Sequence, residues 1–323
     1  MSGRTPTVSP PLTGLYKPQL TRIVSMASSS VLESPSGKKL NLEFQRTCGC
    51  KPSHVSCITA KEWLKAQVTI HEFFYEGRDI RDKDVHPAVF PIELPAHFIR
   101  TLTHPGQLVL DPFAGVGTTL LAAQDLDRNA VGFDLHEKYV QAAKSRLTQS
   151  RLGRTTRQVI VHADAKDIPQ YLDEGTVSLC ITSPPYANML NHARLNKSHR
   201  GDMRQNKHFL KVQQYSKEPR DLGTMNHEQY EEALIEIYRG IFPLMRSRAH
   251  CIVNVNDVWE NDRRFATHTF VMSALTKAGF EFRNTFIWDK RPLINNVGIF
   301  GWPSNFISLG TTMEFILDFW RRE

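Results

Sequence analysis

From residue 107 onward the apolar and polar positions switch repeatedly between a two-residue and a 3.6-residue period. "QLVLD" (107–111), "AVGFD" (130–134) and "QVIVHAD" (158–164) predict strands, and "TTLLAAQDL" (118–126) and "EKYVQAAKSRL" (137–147) predict the helices between them. "TVSLCITSPPY" (176–186) is a nearly continuous apolar run closing on Pro184-Pro185, the pattern of a strand covered on both faces. Further on, "NHEQYEEALIEIYRGIFPLM" (226–245) sets Ala233, Leu234, Ile237, Tyr238, Ile241 and Leu244 on one helical face. "HCIVNVNDV", "FEFRNTFIWDK" and "MEFILDFW" add strands, and "ATHTFVMSALTKAG" adds a helix that stops at Gly279. Strand and helix in this alternation predict an α/β fold: a doubly wound, mostly parallel, seven-stranded sheet.

The N-terminal quarter lacks that rhythm. Residues 1–38 are rich in Ser, Thr and Pro and hold too few apolar side chains to offset the entropy of ordering, so a flexible arm is expected. Residues 39–80 form an extension containing most of the cysteines, with a helix predicted over 58–76 from Trp63, Leu64, Val68 and Phe73. The main domain then spans 81–323.

With 323 residues, 41% hydrophobic and 23% charged, the chain is long enough for one large domain and excludes collagen-like, coiled-coil and wholly disordered classes. No apolar run reaches the roughly 18–20 residues of a membrane helix and no signal core opens the sequence, so a soluble protein of the cytoplasm with no membrane partner is expected. Five cysteines make no disulfide framework and suit a reducing compartment. The net charge of +7 is unevenly spread: residues 1–80 carry 10 Lys+Arg against 6 Asp+Glu, and residues 187–227 carry 8 against 3. The basic excess therefore lies outside the regular α/β region, as in a polyanion grip or a solvated loop.

"LVLDPFAGVGTT" (108–119) runs from a strand through a glycine turn into a helix. Gly115 and Gly117 let backbone approach a ligand at the strand's carboxyl end. A dinucleotide site is the rival reading, but Thr118 and Thr119 stand where a third glycine would be, and Asp111 makes an acidic lip suited to an amino group or a positive centre. Asp134, at the end of the next strand, suits ribose hydroxyls, and Asp164, after the third, suits an adenine amino group.

"TSPPY" (182–186) is the most specific string in the chain. Two prolines fix φ and remove two donors, which holds the carbonyls of Ser183 and Pro184 rigid. With the Ser183 hydroxyl and the face of Tyr186, this corner can hold an exocyclic amine on a planar base.

"DPFAGVGTT" followed by "TSPPY" resembles the DNA amino-methyltransferases, which methylate cytosine N4 or adenine N6 from S-adenosylmethionine. "HPAVFPIELPAHFIRTLT" (86–103) is similar to that family's methionine-pocket segment and "TTMEFILDFWRR" to its closing strand, so the likeness covers roughly 80–186 and 228–323. The resemblance implies a Rossmann-like methyltransferase fold in which His86, Pro87, Phe90, Phe113, Ala114 and the loop residues above hold the cofactor. It also implies that Ser183, Pro184, Pro185 and Tyr186 are catalytic. Ser before Pro-Pro-Tyr goes mainly with cytosine N4. Duplex DNA with a flipped target base is the implied substrate, in a restriction-modification setting in a prokaryotic or phage-infected cell, with a cognate endonuclease as partner. Adenine N6, an RNA base, or DNA binding without catalysis are the alternatives. Target reading is expected from the 187–227 insertion, through Arg194, Lys197, Arg200, Arg204, Lys207 and Lys211, and from the 291–306 loop, where Trp302 could wedge into duplex or join the core.

Cys48, Cys50, His54 and Cys57 cluster in sequence. Cys-x-Cys is tighter than usual zinc spacing and no second pair follows, so inert thiols and no metal are expected. Cys180 and Cys251 are expected in the core, and the histidines at 192, 199, 208 and 227 near phosphate.

Overall fold

The computed structural model describes residues 39–40, 45–51, 53–80, 89–149, 156–187, 218–260, 263–293 and 312–323. The strands are β1 (Ile70–His71), β2 (Leu108–Asp111), β3 (Asn129–Asp134), β4 (Gln158–His162), β5 (Val177–Thr182), β6 (Met245–Val255), β7 (Val258–Glu260), β8 (Arg263–Phe265), β9 (Glu281–Asp289) and β10 (Met313–Trp320). The helices are α1 (Ala60–Ala66), α2 (Gly77–Ile80), α3 (Glu93–Leu102), α4 (Thr118–Asp125), α5 (Glu137–Gln149), α6 (His227–Ile241) and α7 (Thr267–Lys277).

Strands β2 and β5 are buried at every position because both faces of the sheet are covered. Leu108 and Leu110 point to one face, among α6 and α7 side chains such as Leu234, Ile237 and Val271. Val109, between them, points to the other, among Leu94, Phe98 and Ile99 of α3, Leu120 of α4 and Val140 of α5. The strand order is β1-β9-β10-β6-β5-β2-β3-β4, parallel except for β10, which runs antiparallel between β6 and β9. β7 and β8 form a separate antiparallel ribbon.

The sheet has eight strands rather than seven. The additional one, β1, comes from the stretch expected to be helical. The helix there is α1 alone, started by a Thr59–Glu62 capping box, with no buried residue. Trp63, Leu64 and Val68 are exposed. The chain then pairs with β9, Ile70 opposite Ile287, and Phe73 is buried against Trp288, whose indole donates to the Phe73 carbonyl at 3.2 Å. The other readings of periodicity correspond closely to the elements found. All six apolar residues picked for the α6 face are buried, Cys180 and Cys251 are fully so, and α7 ends just before Gly279, which has φ 107°. No helix among the described residues is long and apolar enough to cross a membrane.

Candidate active site

Parallel strands leave their carboxyl ends on one edge, and the loops after β2, β3, β4, β5 and β6 surround a cavity of about 310 Å3 there. Gly115 of the glycine turn and Ser183 of the proline corner both line it. So do Phe90, Phe113, Ala114, Thr118, Asp134 and Asp164, together with Pro184, Pro185 and Tyr186. A cavity of this size is at the lower end of ordinary small-molecule sites.

The turn is held from behind. Gly115 has φ 50° and its amide donates to Asp134 Oδ2 at 2.9 Å, while the His136 amide donates to Oδ1 at 2.8 Å. Each carboxylate oxygen thus takes one amide hydrogen bond and has capacity for another, and Asp134 lines the cavity. Burial raises the Asp134 pKa, opposed by these amides and by the His136 ring. Arg146, buried in the last turn of α5, donates to the Val116 carbonyl at 2.8 Å and to Thr118 Oγ1 at 3.3 Å. Its place behind the loop was not read from the sequence, where it looks like an ordinary basic residue in the last turn of a helix. Asp164 caps the turn after β4 by accepting from the Lys166 amide at 3.0 Å.

Three loop residues are not where the sequence reading set them. Asp111 is no acidic lip: it is buried, accepts from Thr182 Oγ1 at 2.6 Å and from the Phe113 amide at 3.1 Å, and so ties the ends of β2 and β5 together beneath the cavity. Burial pushes its carboxyl up to about 6. Gly117 caps α4 at φ 80°, where an added Cβ would lie 3.0 Å from that of Ala143, and does not line the cavity. Thr119 points into the core. A β-strand that ends in a tight turn aims alternate side chains inward, which spacing alone does not reveal.

The cavity carries further residues that the sequence reading passed over. The Tyr186 hydroxyl accepts from the Asn256 amide at 3.1 Å and is bonded to Ser183. Burial raises this phenol well above its ordinary pKa, so it stays neutral. Asn254 donates to Glu314 Oε2 at 2.7 Å, and Lys290 donates to Glu314 Oε1 at 2.6 Å. The side-chain carbonyl oxygens of Asn254 and Asn256 are buried at the cavity with no partner among the described residues, which suits a ligand bringing donors. Polar residues closing a buried strand, "NVND" after "CIV", were the available signal. Arg220 and Asp221, from the end of the basic insertion, also line the cavity, and Asp221 Oδ2 meets His136 Nε2 at 2.8 Å. His227 is the first residue of α6 and stacks on Phe265 at 3.8 Å, not a free polar group. His86 and Pro87, Arg194, Lys197, Arg200, Arg204, Lys207 and Lys211, Trp302, and the histidines at 192, 199 and 208 lie outside the described residues, as do the arm 1–38 and most of the 291–306 loop.

The donor set fits S-adenosylmethionine: a side-chain-free turn for close approach, a carboxylate with free lone pairs at the second strand end, and a second acid at the third. Residues 34–145 match the family model described as DNA methylase. Type II methyltransferase M.BglI of Bacillus subtilis is 39% identical over 75 residues, 23% of this chain and 22% of its own length. Type II methyltransferase M.SmaI of Serratia marcescens is 44% identical over 66 residues, 20% of this chain and 23% of its own. The chain thus matches under a quarter of the length of these curated relatives. Among solved structures, TrmN from Thermus thermophilus aligns with a TM-score of 0.47 at 16% identity, over 75% of this chain and 53% of that one. Through its glycine loop and the region around it, over residues 34–145, the chain resembles the DNA methylases of the N6/N4 family.

Proposed function

We propose that this protein transfers a methyl group from S-adenosylmethionine to the exocyclic N4 of cytosine in duplex DNA. The observation that carries the reading is the shared cavity of Gly115 and Ser183, a cofactor turn facing an amine-holding corner.

When bound, S-adenosylmethionine supplies an electrophilic methyl on a sulfonium. Phe90, Phe113 and Thr118 hold its methionine end, Asp134 its ribose and Asp164 its adenine. On the other side, a cytosine amine is a weak nucleophile because its lone pair is delocalised into the ring. Ser183 Oγ and the Pro184 carbonyl accept hydrogen bonds from its two N–H groups, which favours the pyramidal amine whose lone pair can attack, and the methylated amine then releases one proton to water. Holding both reactants in line provides much of the remaining acceleration. Tyr186 stacks on the base, which has left the duplex to reach the cavity. The basic residues of the insertion, Arg194, Lys197, Arg200, Arg204, Lys207 and Lys211, grip phosphates, and Trp302 fills the space the base vacates. The likeness to Type II methyltransferases favours a restriction-modification setting in a prokaryotic cytoplasm, with a cognate endonuclease.

The test is to incubate the full chain with labelled S-adenosylmethionine and duplex DNA, digest the DNA, and identify the labelled nucleoside. N4-methylcytosine is expected. N6-methyladenine would overturn the base assignment, and label entering RNA in preference to duplex DNA at matched salt would overturn the substrate.

A further inference from the structure

The cysteine cluster that spacing marked as inert acquires a fourth member from elsewhere in the chain. His104, in the turn between α3 and β2, is 3% exposed and brings its Nδ1 to 3.3 Å from Cys48 Sγ and 3.2 Å from Cys57 Sγ. Cys50 Sγ lies 3.4 Å from Cys57 Sγ. The four ligand atoms all fall within 4.8 Å of one another. His54, the neighbour in sequence, contributes its backbone instead: its carbonyl oxygen is 2.8 Å from His104 Nε2.

That last contact assigns the tautomer. A carbonyl accepts only, so Nε2 carries the hydrogen and the Nδ1 lone pair points at the sulfurs, the arrangement of a metal-bound imidazole oriented by a backbone acceptor. Tetrahedral zinc at about 2.3 Å from sulfur and about 2.0 Å from nitrogen would set its ligand atoms about 3.5–3.8 Å apart. The spacings here lie around that value, and the sulfurs are too far apart for the roughly 2.05 Å of a disulfide. All three cysteines are free thiols.

The frame around the cluster is built without the sulfurs. The Thr47 amide donates to the Pro105 carbonyl at 3.0 Å, and Gly106 lies so close beneath that an added Cβ would stand 2.2 Å from the Gln45 carbonyl oxygen. Arg46 donates to the carbonyls of Cys50 and Lys51. Arg128, buried nearby, acts electrostatically on Cys48 and Cys57. Two guanidiniums beside three sulfurs suit a centre whose net charge, three thiolates with one divalent cation, is −1.

Need for such a staple is visible in the burial pattern. Between residues 45 and 70, Ser56 alone is buried among the described residues, and α1 buries nothing. A stretch with no apolar core of its own is the kind that a structural metal holds in place.

We propose that Cys48, Cys50, Cys57 and His104 bind one zinc ion, a closed four-ligand structural site that fastens the N-terminal extension to the turn before β2. With no open position, the site serves folding and not methyl transfer.

The experiment uses the full chain expressed with zinc in the medium and purified without chelator. Elemental analysis is expected to return about one zinc per chain, released in step with titration of the thiols. Replacing zinc by cobalt should give the absorption of a tetrahedral site with sulfur-to-metal charge-transfer bands of three thiolates. H104A and C50S should lose the metal, whereas H54A, which keeps the carbonyl, should retain it. A metal-free protein under these conditions, a Cys50–Cys57 disulfide in freshly purified protein, or zinc lost from H54A would each overturn the proposal. The cobalt spectrum of the unmodified chain decides the matter even where a variant fails to fold.

Discussion

The Gly115 amide and the Asp134 carboxylate, 2.9 Å apart, join the loop after one strand to the tip of the next. The same carboxylate faces the cavity, so one side chain both shapes the turn and presents acceptors to a ligand. In Asp134→Asn, the amide group cannot accept at both positions, and either the Gly115 or the His136 amide loses its partner. Calorimetric titration should show S-adenosylmethionine binding weakened by about tenfold or more, with a loss of stability of about 1–3 kcal/mol. Unchanged affinity would refute the dual role.

Gly132 on β3 is bounded by side chains on both sides: a Cβ there would stand 2.6 Å from Ala114 Cβ and 2.7 Å from Leu120 Cδ1. Gly132→Ala should therefore cost about 1–3 kcal/mol in urea unfolding by forcing the glycine loop and α4 outward. Cofactor binding should weaken with it, since Ala114 belongs to the cavity wall.

Asp111 offers a pH signature. Its folded pKa of about 6 lies above the ordinary value of 3.8, so between these the folded state holds more protons than the unfolded chain. Stability from this group is then complete at the acid end and is lost as pH rises through 6. In Asp111→Asn no charge can form. The stability of the variant relative to the parent should rise by on the order of 2–3 kcal/mol between pH 4 and pH 7. A difference that is flat over that window would contradict the burial of this carboxyl.

Glu314 accepts from both Asn254 and Lys290 at the cavity wall. Glu314→Ala strands an amide and an ammonium together, and thermal unfolding should report a loss of about 2–3 kcal/mol. The variant Glu314→Gln keeps one acceptor and should recover part of that loss.

The local elements from β2 to β5 could be read from periodicity because each is specified by its own residues: an apolar run, then a turn, then an amphipathic helix. The same holds for the α6 face. What escaped depended on distant partners. Ile70–His71 becomes a strand only because β9 presents an open edge, and Phe73 meets Trp288 across 215 positions of sequence. His104 joins the cysteines from 47 residues beyond Cys57, so the local string Cys48–Cys57, with no second ligand pair nearby, reads as inert thiols. At the cavity, the proline corner and the glycine turn were legible as strings; Asn254 and Asn256 left only the faint mark of polar residues closing a buried strand, and their link to Glu314 needed β6 and β10 set side by side. Asp111 was misread because a strand-end acid can point either way.

The chain departs from the proline corner at Ala187 and is back by Glu218, and the two ends meet: a Cβ on Gly223 would lie 3.8 Å from the Tyr186 carbonyl oxygen. Asp221 anchors the returning end on His136. Departure and return therefore share one doorway at the edge of the cavity, which Tyr186 and Asp221 both line. Whatever occupies that stretch can be traded for a longer, shorter or differently charged cassette while the chamber behind it stays as it is.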